Sequence, residues 1–271
     1  MYSLIIQTLR PPIEVPIIDL EGKSVKTVKL PDLFRVPVRK DLIRRAHHAA
    51  HTASKQPQGR DPLAGKRRVG ESWGAGYSVA RVPRLDNGRA VFAPMTRGGR
   101  RAHPPRVDKV IVEEINKKER IYAIVSALAA TALRDFVVSR GHVVPEDLSL
   151  PVVVVDELEN ISRSRDAREF LIKTGLWSDV ERSYSRIRIR AGKGKRRGRR
   201  YVEPKSILVV LSKSDSPAFK AFRNFPGVDV AFIGNLGIVH LAPGGVPGRL
   251  MVISESALKG LGSKYSVLSY S

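Results

Sequence analysis

Asp156 and Glu157 close an apolar run over residues 152–155. Two carboxylates at the end of a buried strand are what a nucleoside triphosphatase uses to hold Mg²⁺. That chemistry also needs a glycine-rich phosphate cradle, Gly-x-x-x-x-Gly-Lys-Ser/Thr, and the chain has none. Gly192-Lys-Gly-Lys195 lies after the acidic strand and lacks the hydroxyl residue. Without a cradle, Asp156 and Glu157 read as acids that cap the next turn. His47 and His51 are four apart, the spacing that puts two imidazoles on one helix face. No glutamate follows in the His-Glu-x-x-His sense and no third ligand is evident, so they read as half-buried or RNA-facing rings. Glu113 and Glu114 fit the solvated first turn of a helix better than an acid/base pair. There is no Gly-x-Ser-x-Gly nucleophile turn and no cysteine, which excludes disulfides, thiolate metal sites and cysteine nucleophiles. The expectation is a protein that is not an enzyme, with no metal and no cofactor.

The signals for binding are stronger. Trp73 and Tyr77 stand in Glu71-Ser-Trp-Gly-Ala-Gly-Tyr77 among Lys66, Arg67, Arg68, Arg81 and Arg84. Aromatic rings in a stretch with no core of its own suit stacking on unpaired bases, at about 1–3 kcal/mol per base. The alternative is that they pin the stretch to its own domain. Arginine far outnumbers lysine here, which favours forked contacts with phosphates and base edges. The expected RNA-binding set is Lys55, Arg60, Lys66, Arg67, Arg68, Trp73, Tyr77, Arg81, Arg84, Arg97, Arg100, Arg101 and Arg106, joined by Lys193, Lys195, Arg196, Arg197, Arg199 and Arg200.

Charge position supports that reading. The 271 residues carry a net charge of +22, with 48 Lys and Arg against 26 Asp and Glu. Residues 35–106 hold 17 cations and four anions, and residues 186–200 hold nine cations and no acid. The remainder is close to neutral. Two concentrated basic segments on a neutral body fit insertion into a polyphosphate. An anionic membrane face would call for a basic amphipathic helix with an apolar side, which is missing. Nor does the sequence show a secretion signal or 18 apolar residues in a row, so the expectation is a cytoplasmic protein with no membrane partner.

The elements that must position these residues read as α/β. Apolar runs at 150–155, 207–211, 228–233 and 250–253 alternate with helix-like stretches at 164–173 and 218–223. That alternation predicts a three-layer domain with a mainly parallel sheet. Residues 116–139 read as one long helix, and 39–52 as another. Residues 1–30 hold two or three short strands, with Glu21-Gly22-Lys23 as a hairpin turn. Residues 54–106 fit no period and are rich in glycine and proline. They form a long basic extended loop inserted before the central helix. Such a loop, doubled back at about 3.3 Å per residue, reaches several tens of Å, and it is expected to be mobile when free. The expected domains are therefore 1–53 with 107–271 as the globular body, 54–106 as the internal RNA-binding loop, and 186–200 as a basic extension of the body.

Four long segments resemble one family, ribosomal protein number four of the large subunit in its archaeal and eukaryotic form. They are Glu71-Ser-Trp-Gly-Ala-Gly-Tyr-Ser-Val-Ala-Arg-Val-Pro-Arg84, Met95-Thr-Arg-Gly-Gly-Arg100, Arg120-Ile-Tyr-Ala-Ile-Val-Ser-Ala-Leu-Ala-Ala130, and Gly237-Ile-Val-His-Leu-Ala-Pro-Gly-Gly245 with Ser254-Glu-Ser-Ala257. The resemblance implies a structural constituent of the ribosome that binds large-subunit ribosomal RNA and contacts neighbouring ribosomal proteins. It also implies that the loop lines the nascent-peptide exit tunnel, with the nascent peptide passing the loop tip near residues 59–68. Eukaryotic relatives carry a C-terminal extension, and a chain ending near Ser271 fits the archaeal form. The competing readings are a nucleic-acid-processing enzyme using Asp156 and Glu157, and a membrane-surface protein.

Overall fold

Short runs of β-branched and long apolar residues become the strands of a computed structural model that describes residues 2–6 and 10–269. In chain order the strands are β1 (Tyr2–Ile6), β2 (Glu14–Ile18), β3 (Ser24–Lys29), β4 (Val152–Val154), β5 (Arg188–Ile189), β6 (Tyr201–Val202), β7 (Leu208–Leu211), β8 (Asp229–Phe232), β9 (Met251–Ser254) and β10 (Tyr265–Ser269). The helices are α1 (Lys40–Ala53), α2 (Lys117–Thr131), α3 (Arg134–Ser139), α4 (Ser164–Lys173), α5 (Trp177–Ser185), α6 (Ala218–Arg223), α7 (Ile238–Leu241) and α8 (Glu255–Lys264). The chain divides into two compact units, residues 1–51 with 114–271, and residues 52–113.

In the first unit six strands hydrogen-bond in the order β3-β2-β4-β9-β7-β8. Every pairing is parallel except β2 with β3. The exception is a hairpin, closed by the Asp19 carboxylate accepting from the Glu21 and Lys23 amides at 2.9 Å, with Gly22 at φ +84°. A side-chain oxygen three residues before a left-handed glycine, bonding the amides on either side of it, makes a self-supporting turn. Parallel strands bury both faces, and alternation decides which residue goes where. Val153, Leu208, Val210, Met251 and Ile253 face a layer containing α1, α2, α7 and α8. Val152, Val154, Val209, Leu211 and Val252 face α4, α5 and α6. The expected three-layer α/β domain with a mainly parallel sheet is what forms. Strands β1 and β10 pair separately, in parallel, and β5 with β6 makes a two-stranded antiparallel ribbon.

Two expectations need correction. The single helix over 116–139 is two, because Leu133 takes extended backbone at φ −106° and ψ 111° between α2 and α3. The buried Thr131 hydroxyl bonds back to the Leu128 carbonyl at 2.7 Å, a local competitor for the helical ladder. Glu113 and Glu114 lie before the helix rather than in its first turn, since Asn116 is the extended cap residue and α2 opens at Lys117. Sequence reading also missed α5, α7 and α8.

The second unit ends α1 at its beginning and otherwise contains no helix or strand among the described residues, only the isolated bridges Glu71–Arg84 and Arg84–Ala90. Its one buried apolar side chain among the described residues is Val91.

Candidate nucleic-acid interface

The second unit is held by backbone and glycine, not by a core. At its root the Glu113 amide donates to Thr52 Oγ1 at 3.1 Å. Further along, a Cβ at Gly65 would stand 2.6 Å from the backbone of Gly99 and Arg100, and one at Gly70 would stand 2.7 Å from the Arg84 carbonyl. Only glycine allows limbs to lie this close. Residues 59–70 therefore form one limb of a doubled-back arm, residues 91–107 form the other, and the chain reverses within 71–90. This overturns the expectation that the tip falls near residues 59–68. Composition shows that a loop doubles back, but not which residues face each other.

The reversal gathers the aromatic residues. Glu71 and Arg84 exchange backbone hydrogen bonds at 2.9 and 3.1 Å, and the Gly88 amide closes a turn on the Leu85 carbonyl at 2.8 Å. The Arg84 guanidinium donates to the carbonyls of Gly88 (2.8 Å) and Ala80 (3.3 Å) and lies 5.9 Å from the centre of the Trp73 ring. Trp73 and Tyr77 sit 5.9 Å apart, centroid to centroid, in a tilted pair. They remain 39 % and 62 % exposed. So Trp73, Tyr77 and Arg84 come together, with Arg84 serving as a structural tie for the turn as well as a cation. Arg67 is partly neutralised by an ion pair with Asp61 at 2.5 Å, and Arg100 lies over the Phe92 ring at 5.4 Å. Arg60, Lys66, Arg68, Arg97, Arg101 and Arg106 stand exposed along the limbs, Arg81 within the reversal and Lys55 just before the first limb.

In the first unit the basic run 186–200 is an ordered ribbon. Arg188 faces Val202 and Ile189 faces Tyr201 across β5 and β6. The tip is a 3-10 turn, Gly192–Arg197, closed by Gly198 at φ +74°. Arg190 folds across Gly194 and donates to the Arg199 carbonyl at 2.9 Å, so it buttresses the turn. Lys193, Lys195, Arg196, Arg197, Arg199 and Arg200 are exposed. Arg188, Ile189 and Tyr201 belong to the same ribbon, which the alternation Arg186-Ile-Arg-Ile-Arg190 signals as a strand inside the charge run.

The candidate catalytic groups are otherwise engaged. Asp156 accepts from the Ser256 amide at 2.8 Å and the Ser256 hydroxyl at 2.5 Å, which caps α8 and not the turn that follows β4. Glu157 lies in a surface concavity with Glu21, Asp166 and Glu169. The buried Glu159, unnoticed in the sequence, ties three elements by accepting from the Ser212 amide and hydroxyl and from the Ser254 hydroxyl at 2.6–2.7 Å. His47 and His51 stack 6.2 Å apart, and His47 Nε2 accepts from the Gly244 amide at 3.1 Å. Burial, reinforced by His51, holds the His47 imidazole below its ordinary range. Among the described residues no group of three His, Cys, Asp or Glu is placed to hold a metal ion. Nor is any helix among them long and apolar enough to cross a membrane.

A second buried network stiffens the base of the ribbon. Asp179 is fully buried and accepts from His142 Nδ1 (2.9 Å), the Val143 amide (2.9 Å), Arg182 (2.8 Å) and the Ser206 hydroxyl (2.8 Å). Burial opposes the Asp179 charge, but the bonds from His142 and Arg182 outweigh it and hold the carboxyl well below the usual carboxylate range. Arg249, also fully buried, donates to four backbone carbonyls and pairs with Asp229 at 2.7 Å. Together they fix Ser206 and Ile207, where the chain that leaves β6 enters β7.

Comparison with known proteins identifies the family. A model of the ribosomal protein L4/L1 family matches residues 28–264. The large ribosomal subunit protein uL4 of Methanopyrus kandleri is 52 % identical over 252 residues, covering 91 % of this chain and 96 % of its own. The uL4 protein of Pyrobaculum aerophilum is 51 % identical over 255 residues, covering 93 % and 90 %. The uL4 protein of Saccharolobus islandicus is 50 % identical over 251 residues, covering 92 % and 94 %. With a family match across most of its length and archaeal relatives at half identity, the chain belongs to the ribosomal protein L4/L1 family, a family of structural, non-enzymatic ribosomal constituents.

Proposed function

We propose that this protein is a constituent of the large ribosomal subunit in the cytoplasm, that it binds large-subunit ribosomal RNA, and that it meets neighbouring ribosomal proteins there. In this reading residues 54–106 are an internal RNA-binding loop and residues 186–200 a basic extension of the body. The observation that carries it is the state of Trp73 and Tyr77. They are exposed rings at the reversal of an arginine-rich arm whose only buried apolar side chain, among the described residues, is Val91. An arm built this way leaves its cations and ring faces for an outside partner, and RNA supplies phosphates for the first and unpaired bases for the second. The exposed Arg and Lys of the two limbs would take phosphates along their length. The reversal, residues 71–90, is the segment we assign to the nascent-peptide exit tunnel, replacing residues 59–68 in that role.

Sedimentation provides the test. Tagged protein expressed in an archaeal host should travel with large subunits at low salt. Trp73→Ala should lower its occupancy there by about tenfold, the loss of one stacked base. Wild-type protein that stays at the top of the gradient would refute the reading.

A further inference from the structure

We propose that the β5–β6 ribbon carries a stacking site for an unpaired RNA base on Tyr201, separate from the phosphate contacts of its basic turn. The proposal deepens the RNA-binding reading above and rests on it.

The ribbon has two differently built faces. Ile189 and Tyr201 are register partners, so their side chains share one face, while Arg188 and Val202 share the other. The Arg188 face borders a shallow concavity shared with Arg186 and Pro204. The Ile189 face is apolar and open, with Ile189 56 % and Tyr201 58 % exposed. Neither residue belongs to the two apolar clusters of the body. The Arg200 guanidinium lies over one face of the Tyr201 ring, 5.8 Å from its centre. An exposed aromatic ring with a guanidinium over one face and an aliphatic side chain beside it offers a surface for the flat π-face of a nucleobase.

Charge selects the occupant. Residues 186–202 contain nine cations and no acid. A protein surface docking on this face would have to bring a dense set of carboxylates with its apolar contact, whereas RNA brings a phosphate with each base. Duplex RNA hides its base faces and unpaired nucleotides present them. The ribbon therefore selects a loop or bulge, and its turn clamps the adjoining backbone.

The test uses the full chain and purified archaeal large-subunit ribosomal RNA. Ultraviolet crosslinking followed by nuclease digestion and mass spectrometry should yield a nucleotide adduct on Tyr201. Tyr201→Ala should weaken binding about tenfold with an unchanged dependence of log K on log salt. Tyr201→Phe should restore affinity and Tyr201→Leu should not. Tyr201 is exposed, and an unaltered melting curve for each variant would verify the fold. Wild-type affinity in Tyr201→Ala, or full rescue by leucine, overturns the stacking site while leaving RNA binding in place. Intact RNA binding in Tyr201→Ala, coupled with lost retention only when other ribosomal proteins are present, assigns the face to a protein and also overturns it. If the wild-type chain does not bind the RNA at all, this site and the reading beneath it fall together.

Discussion

Single side chains settle which charges are structural and which are offered outward. Asp179 is a buried anion that meets four donors, so removing its charge leaves Arg182 and His142 without their partner. Asp179→Asn should cost about 3 kcal/mol of stability, measured by denaturant unfolding. The same cluster sets an acid response. Burial holds the His142 imidazole below its ordinary 6.5, although the bond to Asp179 opposes that shift. The unfolded chain therefore takes up a proton that the folded one resists. This contribution is complete above pH 6.5 and is lost as pH falls below it. Asp179, depressed in the folded state, adds a second loss that begins as pH falls through the ordinary carboxylate value of 3.8. The melting temperature should decline in two steps on acidification, and His142→Gln should diminish the first, to which the depressed His47 and His240 also contribute. A single step in the wild type would contradict this assignment. By contrast Asp156→Ala removes a cap on α8 and should cost about 1 kcal/mol, with RNA affinity unchanged in a binding titration.

Among the elements, strands were the most readable because alternation is local. Val152 and Val154 go to one face and Val153 to the other, as the apolar run requires. The break at Leu133 was hidden because 116–139 is uniformly helix-prone, and only tertiary packing separates α2 from α3. The ribbon was concealed by its own charge, since nine cations in fifteen residues look like a solvated extension until the Arg-Ile alternation is noticed. Register inside the loop was the least readable property, because it is set by close limb contacts at Gly65 and Gly70 rather than by any period. Gly65→Val tests that register. At φ +77°, with backbone 2.6 Å from the position of its Cβ, the substitution must part the limbs. Trypsin should then cut the free protein faster within residues 60–101, while the body persists as a resistant fragment. Cleavage at the wild-type rate would show that the limbs do not rely on this approach.

For the molecule as a whole, the excess of +22 falls on two segments, and its effect is collective. If about ten of those cations meet phosphates, log K for the ribosomal RNA should fall with log salt at a slope of roughly −7 to −9. Neutralising Arg196, Arg197, Arg199 and Arg200 together should flatten it by about 3 to 4. An unchanged slope would mean that the ribbon's turn points away from RNA. Charge counting separates a near-neutral body from two basic segments, and the structure divides residues 52–113 from the rest while keeping residues 186–200 within the first unit. The sequence singles out Trp73 and Tyr77 beside the charge of the loop, whereas Tyr201, beside Arg200 in the ribbon, carries no such cue.

The strand order carries a consequence for how such a chain comes into being. β9 lies in the middle of the main sheet, between β4 and β7, yet it is the last of the six strands in sequence. A polypeptide emerging from its amino end has therefore exposed the whole arginine-rich arm and the ribbon before the central slot of its sheet can be filled. During that interval β4 and β7 present unpaired edges, and the cations have no stable body behind them. A birth order of this kind creates a window in which promiscuous capture by any nearby polyanion competes with completion of the sheet. Nascent chains halted before residue 251 should accordingly aggregate or coprecipitate with bulk RNA, and those extended past α8 should be released soluble.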